Sequence, residues 1–232
     1  MKKITFAAAA AALTCSTVFG NWAGNARYAA SNREAPKGAV VLYGDSITDG
    51  WPRIRPAFFK DNGFIGRGFS GQTTAQMLCR FRRDVIELKP KAVVVLAGIN
   101  DMAENNGPIE ARDVLGNIKS MHELARANGI RFVLCSVTPA AAFSWRKTIT
   151  DAAERIRNLN ILLKQYAETN NILWIDYYSK LEDGKGGMRE GLADDGLHPN
   201  ANGYVIMEKV LLDALIRQDG RSASLNTEAQ RL

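Results

Sequence analysis

The chain has 232 residues, 46% hydrophobic and 23% charged, a length and balance suited to one globular domain with a full core. Its formal charge is +6, with Lys2 and Lys3 contributing to it, and the tightest basic group is only Arg80, Arg82 and Arg83. A nucleic-acid binder would carry a denser basic stripe interleaved with aromatics, so that class is set aside.

Met1 to Gly20 has the composition of a secretory signal: a positive end at Lys2 and Lys3, then an apolar run from Ile4 to Leu13 too short for a membrane span. Val18-Phe19-Gly20 offers a cleavage site, with Ala23 and Ala26 as later options. Cys15 raises a lipoprotein anchor, although Ala12-Leu13-Thr14 matches the usual lipobox poorly. No other stretch is long enough to cross a bilayer. The expectation is a protein exported to a periplasm or beyond the cell.

Residues 21–38 are polar and irregular and read as an arm leading to the first strand. Ala39 to Tyr43 is that strand, β-branched and apolar. It runs into Gly44-Asp45-Ser46, where Ser46 is either a nucleophile or the cap of the next helix. Pro52 to Lys60 suggests a short helix with proline in its first turn. Phe64 to Phe69 is a second strand, and its glycines at 66 and 68 imply a close backbone approach. Ser70 to Thr74 is a loop, and Ala75 to Leu88 has helical apolar spacing.

Lys91 to Ala97 is a continuous apolar run, the pattern of a strand buried on both faces. Gly98-Ile99-Asn100-Asp101 ends it. A helix follows over Ile109 to Asn128, closed by Gly129, and Ile130 to Val137 is the next strand. Thr138 to Lys147 is a loop carrying Phe143 and Trp145; Thr150 to Thr169 is helical; Ile172 to Asp176 is the fifth strand. Tyr177 to Ala193 is irregular and glycine-rich, and Ala201 to Arg217 is a final amphipathic helix. Residues 219–232 read as a polar, frayed tail. Alternating strands and helices predict an α/β protein: a three-layer α/β/α sandwich on a flavodoxin-like five-stranded parallel sheet.

In such a sheet the carboxyl ends of all strands meet at one edge, where ligands collect. Ser46, Gly71, Asn100 and the run Asp194-Asp195-Gly196-Leu197-His198 all sit at or beyond strand ends. Ester hydrolysis by a serine needs a base, and the base needs an orienting carboxylate. Of the two histidines, His122 reads as a surface residue of a helix, whereas His198 has Asp195 three positions earlier. That spacing lets one turn bring a carboxylate to the imidazole. The same pattern also suits a helix N-terminus with Asp195 or Asn200 as cap. Asp194 is a rival orienter. The attack also needs donors for the oxyanion, and Gly71 N–H, the Asn100 amide and Ser46 N–H are candidates. Asp45, Asp49 and Asp101 read as loop-holding residues. Cys79 and Cys135 read as two buried free thiols, and the sequence offers no metal site.

Gly44-Asp45-Ser46-Ile47-Thr48, Gly68-Phe69-Ser70-Gly71-Gln72-Thr73, Gly98-Ile99-Asn100-Asp101 and Asp195-Gly196-Leu197-His198-Pro199 occur in that order. Together they resemble the four blocks of the SGNH hydrolases, the GDSL esterase/lipase family, over most of Val40 to Leu215. Ile47 stands where the eponymous motif has leucine, and Ile99 where many relatives have threonine. The resemblance implies an SGNH hydrolase domain over residues 39–218. Ser46, Asp195 and His198 would be catalytic, with Ser46, Gly71 and Asn100 forming the oxyanion hole. It implies no metal and no cofactor.

The sequence further resembles the branch with platelet-activating-factor acetylhydrolase-like and carbohydrate-esterase-like members. The expected function is therefore a secreted serine esterase acting on short acyl, chiefly acetyl, esters of carbohydrate. Export, Trp51 just after Ser46, and Trp145-Arg146 on a loop at the same edge point towards a sugar substrate, and the expected partner is a small-molecule or glycan acyl ester. A lysophospholipase or thioesterase of the same mechanism is the alternative, and a catalytically dead carbohydrate-binding protein is the alternative from another class. Nothing in the sequence bears on oligomeric state.

Overall fold

The computed structural model describes residues 22–24 and 26–229, with side chains as far as Arg217. The expected signal segment, Met1 to Gly20 with Cys15 inside it, lies outside the described residues.

Five parallel strands form one sheet in the order β2-β1-β3-β4-β5. They are β1 Val40–Gly44, β2 Phe64–Gly68, β3 Ala92–Leu96, β4 Arg131–Cys135 and β5 Leu173–Ile175. The register pairs Gly44 with Gly68 on one side and with Leu96 on the other. The helices are α1 Ala29–Arg33, α2 Ser46–Ile54, α3 Pro56–Asn62, α4 Thr74–Asp84, α5 Ile99–Met102, α6 Ala111–Ala127, α7 Ala152–Thr169, α8 Tyr178–Leu181 and α9 Ala201–Ala229.

The central strands are apolar throughout because both faces are covered. Val41, Tyr43, Val93 and Val95 pack with residues of α4, α6 and α7. Their alternates Val40, Leu42, Ala92, Val94 and Leu96 pack with residues of α2, α3 and α9. Each buried valine or leucine among them contributes about 1.5–3 kcal/mol relative to exposure. The three-layer sandwich expected from the alternation is the fold observed. Order reverses between β1 and β3, and the crevice outside their carboxyl ends is the switch point where such sheets bind ligands.

Several local expectations differ from the fold. The helix after β1 begins at Ser46 and not at Pro52, so Pro52 lies inside α2. Pro56 opens α3 instead, a first-turn position where its missing N–H costs nothing. The helix expected to close at Arg217 continues to Ala229; no proline interrupts it, and extension of an existing helix is cheap. Residues 22–24 and 26–38 are not a loose lead. They contain α1, and the Tyr28 hydroxyl donates to the Gly68 carbonyl. The Gln72 amide donates to the Ala23 carbonyl at 2.8 Å.

Trp51 is not a substrate platform, because it is 2% exposed. It stacks between Phe58 and Tyr204, and its indole N–H donates to Glu208, which also holds Arg55. Cys79 and Cys135 are both free, but only Cys135 is buried; Cys79 falls on the outer side of α4. His122 is half-buried and not a plain surface residue. Its Nδ1 lies 2.7 Å from the Tyr166 hydroxyl, and burial lowers its pKa.

Candidate active site

Ser46 is the first residue of α2, directly after β1. It does not cap that helix. Asp45 is the cap, and its carboxylate accepts from the Ile47 N–H at 3.1 Å. The Ser46 hydroxyl is therefore unused by the backbone turn, and its Oγ lies 2.9 Å from His198 Nε2. The Ser46 N–H belongs to the first turn of a helix, where amides have no intrahelical partner and the dipole end is positive. Only glycine fits two positions before it: a Cβ at Gly44 would lie 2.1 Å from Thr48 Oγ1 and 2.7 Å from the Leu96 carbonyl.

His198 is presented by the loop before α9. Its Nδ1 lies 2.6 Å from Asp195 Oδ2. The other oxygen, Asp195 Oδ1, accepts from the N–H groups of Leu197 and His198 at 2.9 and 2.7 Å. Burial opposes the charge on Asp195, but the His198 side chain and these two amides outweigh it and hold the carboxyl below its usual range. An ionised Asp195 accepts a hydrogen bond from Nδ1–H, which fixes the tautomer that leaves the Nε2 lone pair towards Ser46. Asp194 turns away and accepts from the Asn200 amide at 2.9 Å. Of the two aspartates, only Asp195 faces the imidazole.

Gly71 and Asn100 reach the crevice from β2 and β3. Gly71 has φ +79, in the left-handed region that glycine enters without strain. Asn100 is in the first turn of α5 and 3% exposed. One proton of its amide nitrogen meets the Gln72 carbonyl at 3.0 Å, and the amide has a second to offer. Its oxygen accepts from Asn105 Nδ2 at 2.8 Å. The strand-end glycine Gly68 packs against α2 as the sequence suggests: a Cβ there would lie 2.0 Å from the Asp49 N.

Two buried carboxylates stand behind this edge. Burial pushes Asp45 up to about 7, with the Ile47 N–H and the nearness of His198 pulling the other way. Burial likewise pushes Asp101 up to about 6, offset in part by the Thr74 hydroxyl and N–H. Asp101 Oδ1 accepts the Thr74 hydroxyl at 2.6 Å, tying α5 to α4. Asp49 ties the arm to the β2 loop, accepting from Arg27 and from the Ser70 hydroxyl, both at 2.7 Å. All three aspartates thus hold loops.

Sequence reasoning passed over three residues that organise the edge: Arg80, Gln72 and Asn105. Arg80 is fully buried and donates to the Gly44 carbonyl, the Arg67 carbonyl, Gln72 and Asp84. An arginine in a helix ordinarily reads as solvated, and Asn105 reads as part of a turn with Asn106-Gly107-Pro108. Neither carries a local signal of its role. Trp145, singled out from the sequence, is 44% exposed, and its indole N–H donates to Asn105 Oδ1 at 2.9 Å.

Among the described residues no helix is long and apolar enough to cross a membrane, and no group of three or more His, Cys, Asp and Glu is placed to hold a metal ion. Chemically, the edge combines a hydroxyl on an imidazole, the imidazole on a carboxylate, and amide donors from three strand ends.

The family model for the GDSL-like lipase/acylhydrolase family matches residues 42–206. A solved structure of a candidate acylhydrolase from Bacteroides fragilis is 46% identical and superposes with a TM-score of 0.83, covering 85% of this chain and 98% of that one. Esterase TesA of Pseudomonas aeruginosa is 25% identical over 179 residues, 72% of this chain and 82% of that protein. An uncharacterized lipoprotein of Bacillus subtilis, YqeF, is 29% identical over 117 residues, 43% of this chain. That match spans 48% of the lipoprotein's length.

Proposed function

Because the chain belongs to the GDSL-like lipase/acylhydrolase family, whose members are carboxylic ester hydrolases, we propose that it cleaves short acyl esters through an acyl-enzyme on Ser46. His198 Nε2 takes the hydroxyl proton as Ser46 Oγ attacks the acyl carbon. Asp195 orients the imidazole and stabilises its charged form. The N–H groups of Ser46 and Gly71 and the Asn100 amide receive the developing oxyanion. Collapse returns the proton from His198 to the departing alcohol, and water then repeats the sequence to release the acid. The single observation that carries this reading is the unbroken contact from Ser46 Oγ through His198 to Asp195, at 2.9 and 2.6 Å.

The acyl group in this reading is acetyl and the alcohol half a carbohydrate. Support comes from Trp145, whose exposed ring sits two hydrogen bonds from Asn100 and suits stacking on a sugar face. Export is part of the same proposal: it rests on the charged-then-apolar pattern of Met1 to Gly20, with the likeness to a lipoprotein in keeping. The test is turnover of p-nitrophenyl acetate by wild type and Ser46→Ala, followed by acetate release from acetylated glycans. A loss of at least about 10³-fold in Ser46→Ala is expected. Undiminished turnover would end the serine mechanism, and clear preference for an octanoyl over an acetyl ester would end the short-acyl reading.

A further inference from the structure

The amide of Asn100 can act on an oxyanion in only one of its two senses. Rotated by half a turn, it would present its carbonyl oxygen to the negative charge. The two senses have the same shape, so neighbouring hydrogen bonds must choose between them. Two neighbours do. The Gln72 carbonyl accepts from Asn100 Nδ2 at 3.0 Å, and Asn105 Nδ2 donates to Asn100 Oδ1 at 2.8 Å.

Asn105 is itself an amide, and its sense is chosen in turn. Its nitrogen also approaches the Gly71 carbonyl at 3.3 Å. Its oxygen accepts the Trp145 indole N–H at 2.9 Å, a group that can only donate. A reversed Asn105 would set its oxygen against Asn100 Oδ1 and its NH₂ against the indole N–H, two repulsive pairs. Two further bonds tie down the loop behind it: Asn105 N–H donates to the Asn100 carbonyl at 3.0 Å, and Arg146 donates to the Glu104 carbonyl at 3.1 Å.

We propose that Asn105 is a positioning residue for ester hydrolysis: it fixes the donor sense of Asn100, and Trp145 fixes Asn105. The inference rests on the hydrolytic reading of the same crevice. It assigns Trp145 a second role besides any contact with the alcohol half, because its N–H is bonded to Asn105 while the residue is 44% exposed. Asn105 does not touch the reacting atoms and acts through Asn100.

The experiment uses p-nitrophenyl acetate, which has no sugar to stack on Trp145. Asn105→Ala is expected to lower kcat about 10–100-fold with KM little changed, short of the roughly 10²–10³-fold lost when an oxyanion donor is itself removed. Asn105→Asp, equal in size but unable to donate to Asn100 Oδ1, is expected to lose more than Asn105→Ala. Trp145→Phe keeps a ring, loses the N–H and is expected to fall between wild type and Asn105→Ala. In an Asn100→Ala background, Asn105→Ala should add almost nothing, because its effect passes through a group already gone. Thermal midpoints are read for each variant, with Asn105→Ser as the milder change should Asn105→Ala fold poorly.

Full additivity of Asn100→Ala and Asn105→Ala, or wild-type kcat in a folded Asn105→Ala, would overturn the positioning role while Ser46-dependent turnover of the wild type still stood. Absence of ester turnover in the wild type would instead remove the hydrolytic reading and the inference with it.

Discussion

The Arg80 guanidinium donates to the carbonyl oxygen of Gly44 across 2.9 Å, inside a protein interior where Arg80 has no exposed surface. One side chain on α4 thereby sets the backbone immediately before Ser46. The same guanidinium reaches Gln72 and the Arg67 carbonyl, so it holds β2 and its loop as well, while Asp84 at 3.0 Å balances its charge. Replacing it strands a buried carboxylate, a change that ordinarily costs about 3–5 kcal/mol. Arg80→Met is expected to lower the thermal midpoint by on the order of 10 °C. Arg80→Lys, with a point charge and no fork, should recover only part of that. Circular-dichroism melts of the two variants against wild type measure it.

Asp195 and Asp194 make a direct comparison. Asp195→Asn weakens the orientation of His198 and leaves a neutral partner for a charged imidazole, so kcat on p-nitrophenyl acetate should fall by about 10²–10⁴-fold. Asp194→Asn alters only the contact with Asn200 and should leave turnover near wild type. Equal losses in the two would remove the assignment to Asp195.

Asp45 gives stability a pH dependence of definite sign. Its folded pKa, about 7, lies above the ordinary carboxyl value of 3.8. The folded protein therefore keeps a proton that the unfolded chain releases, and stability falls as pH rises from about 4 to about 7. Asp45→Asn keeps an acceptor for the Ile47 N–H and removes the titration. Urea midpoints of Asp45→Asn should decline less across this window than those of wild type; Asp101, whose carboxyl is raised in the same direction, adds to the decline in both.

The residues ahead of α1 yield a fourth expectation. Gln72 is 1% exposed and donates to the Ala23 carbonyl at 2.8 Å. A protein beginning at Arg27 loses that acceptor and leaves a buried amide unpaired, at a cost of about 1–3 kcal/mol. A protein beginning at Asn21 keeps it. The shorter form should melt lower and turn over p-nitrophenyl acetate more slowly, since the same Gln72 carries the carbonyl that Asn100 meets. Equal melting points in the two forms would count against the arm's role at the β2 loop.

Much of the fold is readable along the chain. Val40 to Tyr43 and Ala92 to Leu96 are valine-rich apolar runs, and a run apolar on every residue belongs to a strand with both faces covered. Gly68 signals a close approach because only a residue without Cβ permits one, and the signal needs no neighbour to be read. The helix boundary at Ser46 was harder. Pro52 looks like a first-turn residue, yet the Asp45 cap starts the helix earlier and the proline is carried inside it.

Trp51 shows where linear reading stops. It lies close to Ser46 in sequence, but α2 turns it to the opposite side, among Phe58, Tyr177 and Tyr204. Asn105 shows the reverse: an unremarkable loop residue that meets Asn100 and Trp145. By itself the sequence determines the alternation of strands and helices, the glycines that backbone geometry demands, and which reactive side chains stand at strand ends. These follow from local sterics and from the period of apolar residues. Only the tertiary structure decides that Asp195 faces His198 while Asp194 does not, that Arg80 lies inside, and that one amide sets the sense of another. Those depend on side-chain direction and on contacts between distant segments, which spacing along a chain does not encode.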